Sequence, residues 1–172
     1  MRTTIGVAID IPPPWGEQLT RRRAEAGDPQ AAYVPAHLTL LGPTEVAVVD
    51  LAQIEDGLAA IAAGQPPFSL HLRGTGTFRP LTEVVFVAVA AGISECELLA
   101  EQVRAVVPGF KPLRFPYHPH ITVAMDVGPE QLDAVFDDLA SFEAVFPVHS
   151  FTLFQHGEGG RWHPERDYSL TS

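Results

Sequence analysis

Apolar and polar positions along the chain alternate between the two-residue period of strands and the three-to-four-residue period of helices. Residues 3–11 form a β-branched apolar run stopped by Pro12-Pro13-Pro14, which predicts a strand. Pro14 suits the first turn of a helix, and Trp15 to Ala26 has one apolar edge and one polar face that includes Arg21-Arg22-Arg23. Those arginines are expected to be a solvated helix face. After the Gly27-Asp28-Pro29 break, Tyr33 to Leu41 predicts a strand ended by Gly42-Pro43. Asp50 is the expected cap of a helix to Ala63, with Leu51, Ile54, Leu58 and Ile61 at helical spacing. Residues 68–73 alternate as a half-buried strand that Gly74-Thr75-Gly76 continues through a bend. Val84 to Ala90 is almost unbroken apolar sequence, a strand buried on both faces. Ser94 opens a helix to Val107, and Glu97 completes an apparent capping box. His120 to Met125 is a strand, and Gly128-Pro129-Glu130 starts a helix to Ala140. Glu143 to His156 is a long strand interrupted at Pro147, and Trp162 to Leu170 returns past a glycine turn as the edge strand of a hairpin.

Strands and helices alternate, yet several strands are joined by short turns. The expected class is α+β, or mixed α/β, with largely antiparallel pairing. With no long linker, residues 1–172 read as a single domain. The order also repeats. Each half contains a helix, a proline-containing lead-in, a strand of the pattern His-apolar-Thr-apolar and another helix. The copies are Val34-Pro35-Ala36-His37-Leu38-Thr39-Leu40 and Tyr117-His118-Pro119-His120-Ile121-Thr122-Val123, and their central histidines stand 83 residues apart.

Composition narrows the functional classes. A hydrophobic fraction of 46% supports a sizeable core. The formal net charge of −10 argues against coating long nucleic acid, although it leaves room for a local site for one phosphate. Cys96 is the only cysteine, so neither an intrachain disulfide framework nor a cysteine-rich zinc site is available. The N-terminus lacks a charged region followed by a long apolar run, and no 18-residue apolar stretch exists. A cytoplasmic, monomeric protein without membrane association is expected.

The repeated strands carry the chemistry. Alternate strand residues share a face, so His37 with Thr39, and His120 with Thr122, present an imidazole and a hydroxyl together. Leu38, Leu40, Ile121 and Val123 point to the other side. One such motif arises by chance, and a lone strand histidine commonly satisfies a local hydrogen bond. Two copies in matching contexts predict two His and two Thr lining one cleft. That set suits phosphodiester chemistry: one imidazole as base, one imidazolium as acid, and hydroxyls donating to non-bridging oxygens. It requires no metal or other cofactor.

His37-Leu38-Thr39-Leu40 and His120-Ile121-Thr122-Val123 resemble the paired His-x-Thr/Ser-x motifs of the 2H phosphoesterase superfamily, in particular its bacterial LigT-like, or 2′-5′ RNA ligase, branch. The resemblance extends to the N-terminal strand, to Gly74-Thr75-Gly76-Thr77-Phe78 and to Val84-Val85-Phe86-Val87-Ala88-Val89. It implies a bilobal fold of two pseudo-symmetric lobes, each an antiparallel sheet with outer helices, around a central cleft. It implies opening of 2′,3′-cyclic phosphates, on RNA ends or small cyclic nucleotides, to 2′-phosphates. His37 would then protonate the departing 3′ oxygen, His120 would activate water, and Thr39 and Thr122 would hold the phosphate.

Other residues qualify for supporting roles. Arg79 and Arg114 are candidate cations for the substrate, and Tyr33, Tyr117 and His118 flank the two motifs. Two rival functions remain on these residues. One is a non-catalytic member that binds a nucleotide or phosphorylated metabolite. The other is a metal-dependent hydrolase using His118 and His120, which lie two apart on one strand face.

Overall fold

A computed structural model describes residues 1–172. The elements in chain order are β1 (Arg2–Asp10), α1 (Trp15–Glu25), β2 (His37–Ala47), α2 (Leu51–Ala63), β3 (Phe68–Thr77) and β4 (Val84–Ala91). They continue with α3 (Ile93–Ala105), β5 (His120–Met125), α4 (Pro129–Asp138), β6 (Glu143–Val148), β7 (Ser150–His156) and β8 (Trp162–Ser169). The strands form two four-stranded sheets of order β2-β1-β7-β8 and β5-β4-β3-β6, with every pairing antiparallel. The architecture is α+β and bilobal.

The duplicated halves interlock. β1-α1-β2-α2 matches β4-α3-β5-α4, and each half supplies the two strands at one end of a sheet. The strand that follows α2, β3, joins the sheet of the other half. Helices exchange as well: α1 leaves β1 and packs on β5, while α3 leaves β4 and packs on β2. α2 lies on α3 and β8, and α4 covers β3, β4 and β5. One continuous buried cluster of 38 residues therefore runs through both lobes. Removing that apolar surface from water is the main force favouring the fold.

Five expectations about the elements needed correction. Tyr33 to Ala36 is not strand. Asp28 accepts the Gln30 N–H at 2.9 Å and starts a 3-10 turn at Pro29–Ala32, which delays β2 until His37. β2 then runs past Gly42-Pro43 to Ala47, because an edge strand tolerates a proline and the register shifts there opposite Gly6. The Ser94/Glu97 capping box does not form. Gly92, at φ 97°, turns β4 directly into α3 against β3, where a Cβ would lie 2.9 Å from the Ser69 carbonyl oxygen. Asp50 makes no capping bond, since the 3-10 turn Val48–Asp50 already gives it helical backbone angles. Finally, residues 143–156 are two strands in different sheets. They part at His149, and Pro147 sits on the edge strand β6.

The arginine triplet is only partly solvated. Arg21 is exposed, but Arg22 pairs with Asp138 at the end of α4 at 2.8 Å. Arg23 is buried, its Nε 2.7 Å from Asp28 Oδ2. Asp28 also accepts the backbone N–H of Met125 at 3.0 Å, so this carboxylate ties α1 to the end of β5.

Candidate active site

β2 and β5 pack near one another, and each begins with its histidine. Along both strands the aliphatic positions, Leu38 and Leu40 or Ile121 and Val123, are buried, while the His and Thr between them are half-buried. Thr39 lies across the ladder from Ala8 and His37 from Asp10; Thr122 lies across from Phe86 and His120 from Ala88. One residue beyond each threonine the register shifts, at Leu40-Leu41 and at Val123-Ala124, and both residues of each pair are buried. A matching bulge thus ends each motif and turns two successive side chains into the core.

Both imidazoles are held in the same way. The Nδ1–H of His37 donates to the Pro35 carbonyl at 2.8 Å, and that of His120 to the His118 carbonyl at 2.7 Å. A carbonyl only accepts, so Nδ1 carries the proton and Nε2 is the free ring nitrogen in each. Burial pushes the His37 pKa below its ordinary value of 6.5; the Pro35 bond opposes this, and the charges of Arg23 and His120 add to the lowering. Burial likewise lowers the His120 pKa, opposed by its own backbone bond and reinforced by the charge of His118. Each ring can therefore accept a proton near neutrality, and each carries a fixed orientation.

Aromatic side chains wall the pair. The Trp162 ring lies 5.3 Å from that of His37 and covers Gly6, where a Cβ would meet the indole at 2.6 Å. The edges of Phe78 and Phe86 approach His120 at 5.0 and 5.4 Å between ring centroids. Phe86 in turn covers Gly76, where a Cβ would lie 2.5 Å from the ring. Reading the sequence missed Trp162, Phe78 and Phe86 as neighbours of the histidines. The available signal was a strand glycine facing two of them, Gly6 under Trp162 and Gly76 under Phe86.

The remaining candidates divide. Tyr117 is half-buried and donates its hydroxyl to the Thr39 carbonyl at 2.7 Å, tying the approach to β5 onto β2. Arg79 is committed to Asp133 of α4 at 2.8 Å and to the Thr77 hydroxyl at 3.1 Å. Arg114 is exposed in the segment before β5, stacked on Phe115. Tyr33 sits beneath the Arg161 guanidinium, 5.5 Å from its ring centroid. His118 is exposed with its ring 6.0 Å from that of His120. No three His, Cys, Asp or Glu side chains converge as a metal-binding group, at His118 and His120 or elsewhere. No helix is long and apolar enough to cross a membrane. The two halves also differ across the ladder from the histidines: Asp10, beside His37, has a pKa raised by burial and by the charge of Asp167, whereas its counterpart beside His120 is Ala88.

The family profile described as the 2′-5′ RNA ligase superfamily matches residues 11–160. The apo crystal structure of E. coli LigT superposes with a TM-score of 0.74 at 27% identity, over 99% of each chain. The structure of E. coli LigT complexed with ATP gives 0.73 at 28% identity over 100% of each chain. A Bacillus thuringiensis (strain Al Hakam) protein named "Putative phosphoesterase" is 28% identical over 147 residues, 83% of either chain. With the duplicated strands, the twin histidines and this breadth of similarity, the chain belongs to the 2′-5′ RNA ligase superfamily of 2H phosphoesterases.

Proposed function

We propose that the protein is a metal-independent phosphodiesterase that opens 2′,3′-cyclic phosphates, on RNA ends or small cyclic nucleotides, to 2′-phosphates. The observation that carries this reading is the matched pair of imidazoles, each fixed through Nδ1 to the carbonyl two residues earlier with Nε2 free. His120 takes a proton from water as the water oxygen bonds to phosphorus. The bond from phosphorus to O3′ breaks, and protonated His37 gives its proton to O3′. Thr39 and Thr122 donate to the non-bridging oxygens, where negative charge grows.

The function is tested by offering a panel of 2′,3′-cyclic nucleotides with and without EDTA. Chelator-resistant turnover to 2′-phosphates is expected. Nucleotide binding without turnover would instead mark a binding member of the family, and loss of turnover with EDTA would mark a metal-dependent hydrolase built on His118 and His120.

Two further outcomes follow from the same geometry. With both histidine pKa values below 6.5, the singly protonated pair is most populated at mildly acidic pH. The kcat/KM profile should be bell-shaped with its maximum below pH 6.5. A bound phosphate anion favours the imidazolium, so the alkaline limb of kcat should lie at higher pH than that of kcat/KM. A rate still rising through about pH 9 would contradict a histidine acid–base pair. Replacing Thr39 or Thr122 with Val keeps the branched side chain a strand favours and removes only the donor. Loss of a hydrogen bond to a charged group should lower kcat/KM about 10- to 100-fold in either variant, measured by steady-state kinetics.

A further inference from the structure

β2 and β5 stand at the ends of their sheets, each with one side paired, to β1 or to β4, and the other side open. The two strands pack near one another, yet no backbone ladder joins them. Leu38, Leu40, Ile121 and Val123 belong to the common core. Apolar packing is non-directional. It holds the two lobes together without fixing how far one strand slides along the other.

One directional contact crosses this gap. The Tyr117 hydroxyl donates to the Thr39 carbonyl at 2.7 Å, and no other hydrogen bond runs between β2 and residues 106–125. Both ends of the bond belong to the motifs: Thr39 is two residues after His37, and Tyr117 is three before His120. The residue next to Tyr117, His118, offers the carbonyl that holds the His120 ring. The Tyr117 ring packs on the core below the Arg104 guanidinium of α3, and α3 packs on β2. Burial pushes the Tyr117 hydroxyl above its ordinary pKa, so it stays a donor throughout the pH range of the reaction. The contact is made once. Eighty-three residues earlier, the equivalent position is Val34, which has no hydroxyl.

We infer that Tyr117 is a positioning residue: its bond to the Thr39 carbonyl sets the spacing of His37 and His120 across the cleft. This rests on the phosphodiesterase reading and deepens it. In that reaction both imidazoles act on one phosphate group, one on the attacking water and one on the departing oxygen. They sit on different sheets, so their separation is only as exact as the join between β2 and β5. A misplacement of about 1 Å in a reacting group can cost about 100-fold in rate. Tyr117 acts through the two histidines rather than on the substrate.

Tyr117→Phe keeps the ring and removes only the donor. With a 2′,3′-cyclic nucleotide, kcat should fall about 10- to 100-fold, while KM stays nearly unchanged because the loss falls on the transition state. Placing p-aminophenylalanine at position 117 restores an N–H donor and should recover most of the rate. In a His37→Asn background the same Tyr117→Phe change should cost far less, because no pair is left to space. An unchanged kcat in Tyr117→Phe, a loss that the amino side chain does not recover, or an equal loss in the His37→Asn background would each overturn the inference. If the unaltered protein turns over no cyclic phosphate, the phosphodiesterase reading fails by itself. Crystal structures of the unaltered protein and Tyr117→Phe then decide the spacing role. A wider separation of the His37 and His120 rings in the variant would sustain it, and an equal separation would overturn it.

Discussion

His37→Asn and His120→Asn should each lower kcat/KM for a 2′,3′-cyclic phosphate by about 10²- to 10⁴-fold, the usual contribution of one general acid or base. Asparagine suits this test better than alanine. Its side-chain amide can still donate to the Pro35 or His118 carbonyl, the bond that Nδ1 makes at 2.8 or 2.7 Å. What it lacks is Nε2, the nitrogen that would move the proton. The double variant should lose little more than the poorer single one, because groups that act in one transition state do not contribute additively. Thermal melting and circular dichroism identify any loss of fold. Full activity in either single variant would remove that histidine from the chemistry.

The second large effect concerns stability. In Asp28→Ala the buried guanidinium of Arg23 loses its counter-ion at 2.7 Å, and the N–H groups of Gln30 and Met125 lose their acceptor. Breaking a buried pair from one side costs about 3–5 kcal/mol. A domain of ordinary stability has only about 5–15 kcal/mol in total, so the variant should unfold at markedly lower urea. Arg23→Met should cost less, because Asp28 keeps two backbone donors and methionine fills much of the vacated volume. Urea titrations monitored by tryptophan fluorescence measure both. Equal midpoints for Asp28→Ala and the unaltered protein would show that the pair does not hold α1 to β5.

Both effects bear on how much of the molecule its sequence discloses. The strand positions of His37 and His120 were legible because the two-residue period puts Leu38, Leu40, Ile121 and Val123 on the core side without reference to the rest of the fold. Their duplication also announced the two pseudo-symmetric lobes. The aromatic walls were not legible, since Trp162 meets His37, and Phe78 meets His120, only after sheet pairing joins distant segments. Arg23 read as a surface residue for the same reason: its partner Asp28 is close in sequence, but its burial depends on α1 crossing to the other sheet. The failed capping box at Ser94 shows a local signal overruled by packing, where Gly92 is pressed against Ser69 and Leu70. The split at His149 went unseen because either half of residues 143–156 satisfies strand periodicity, and only topology assigns them to separate sheets.

The central claim is that His37 and His120 divide the two proton transfers between them. The most direct measurement is the pH dependence of kcat/KM for the unaltered protein and both asparagine variants, carried far enough to follow the residual rates. The unaltered protein should give a bell, His120→Asn should lose the acidic limb by losing the base, and His37→Asn should lose the alkaline limb by losing the acid. Identical bells in all three proteins would contradict the account.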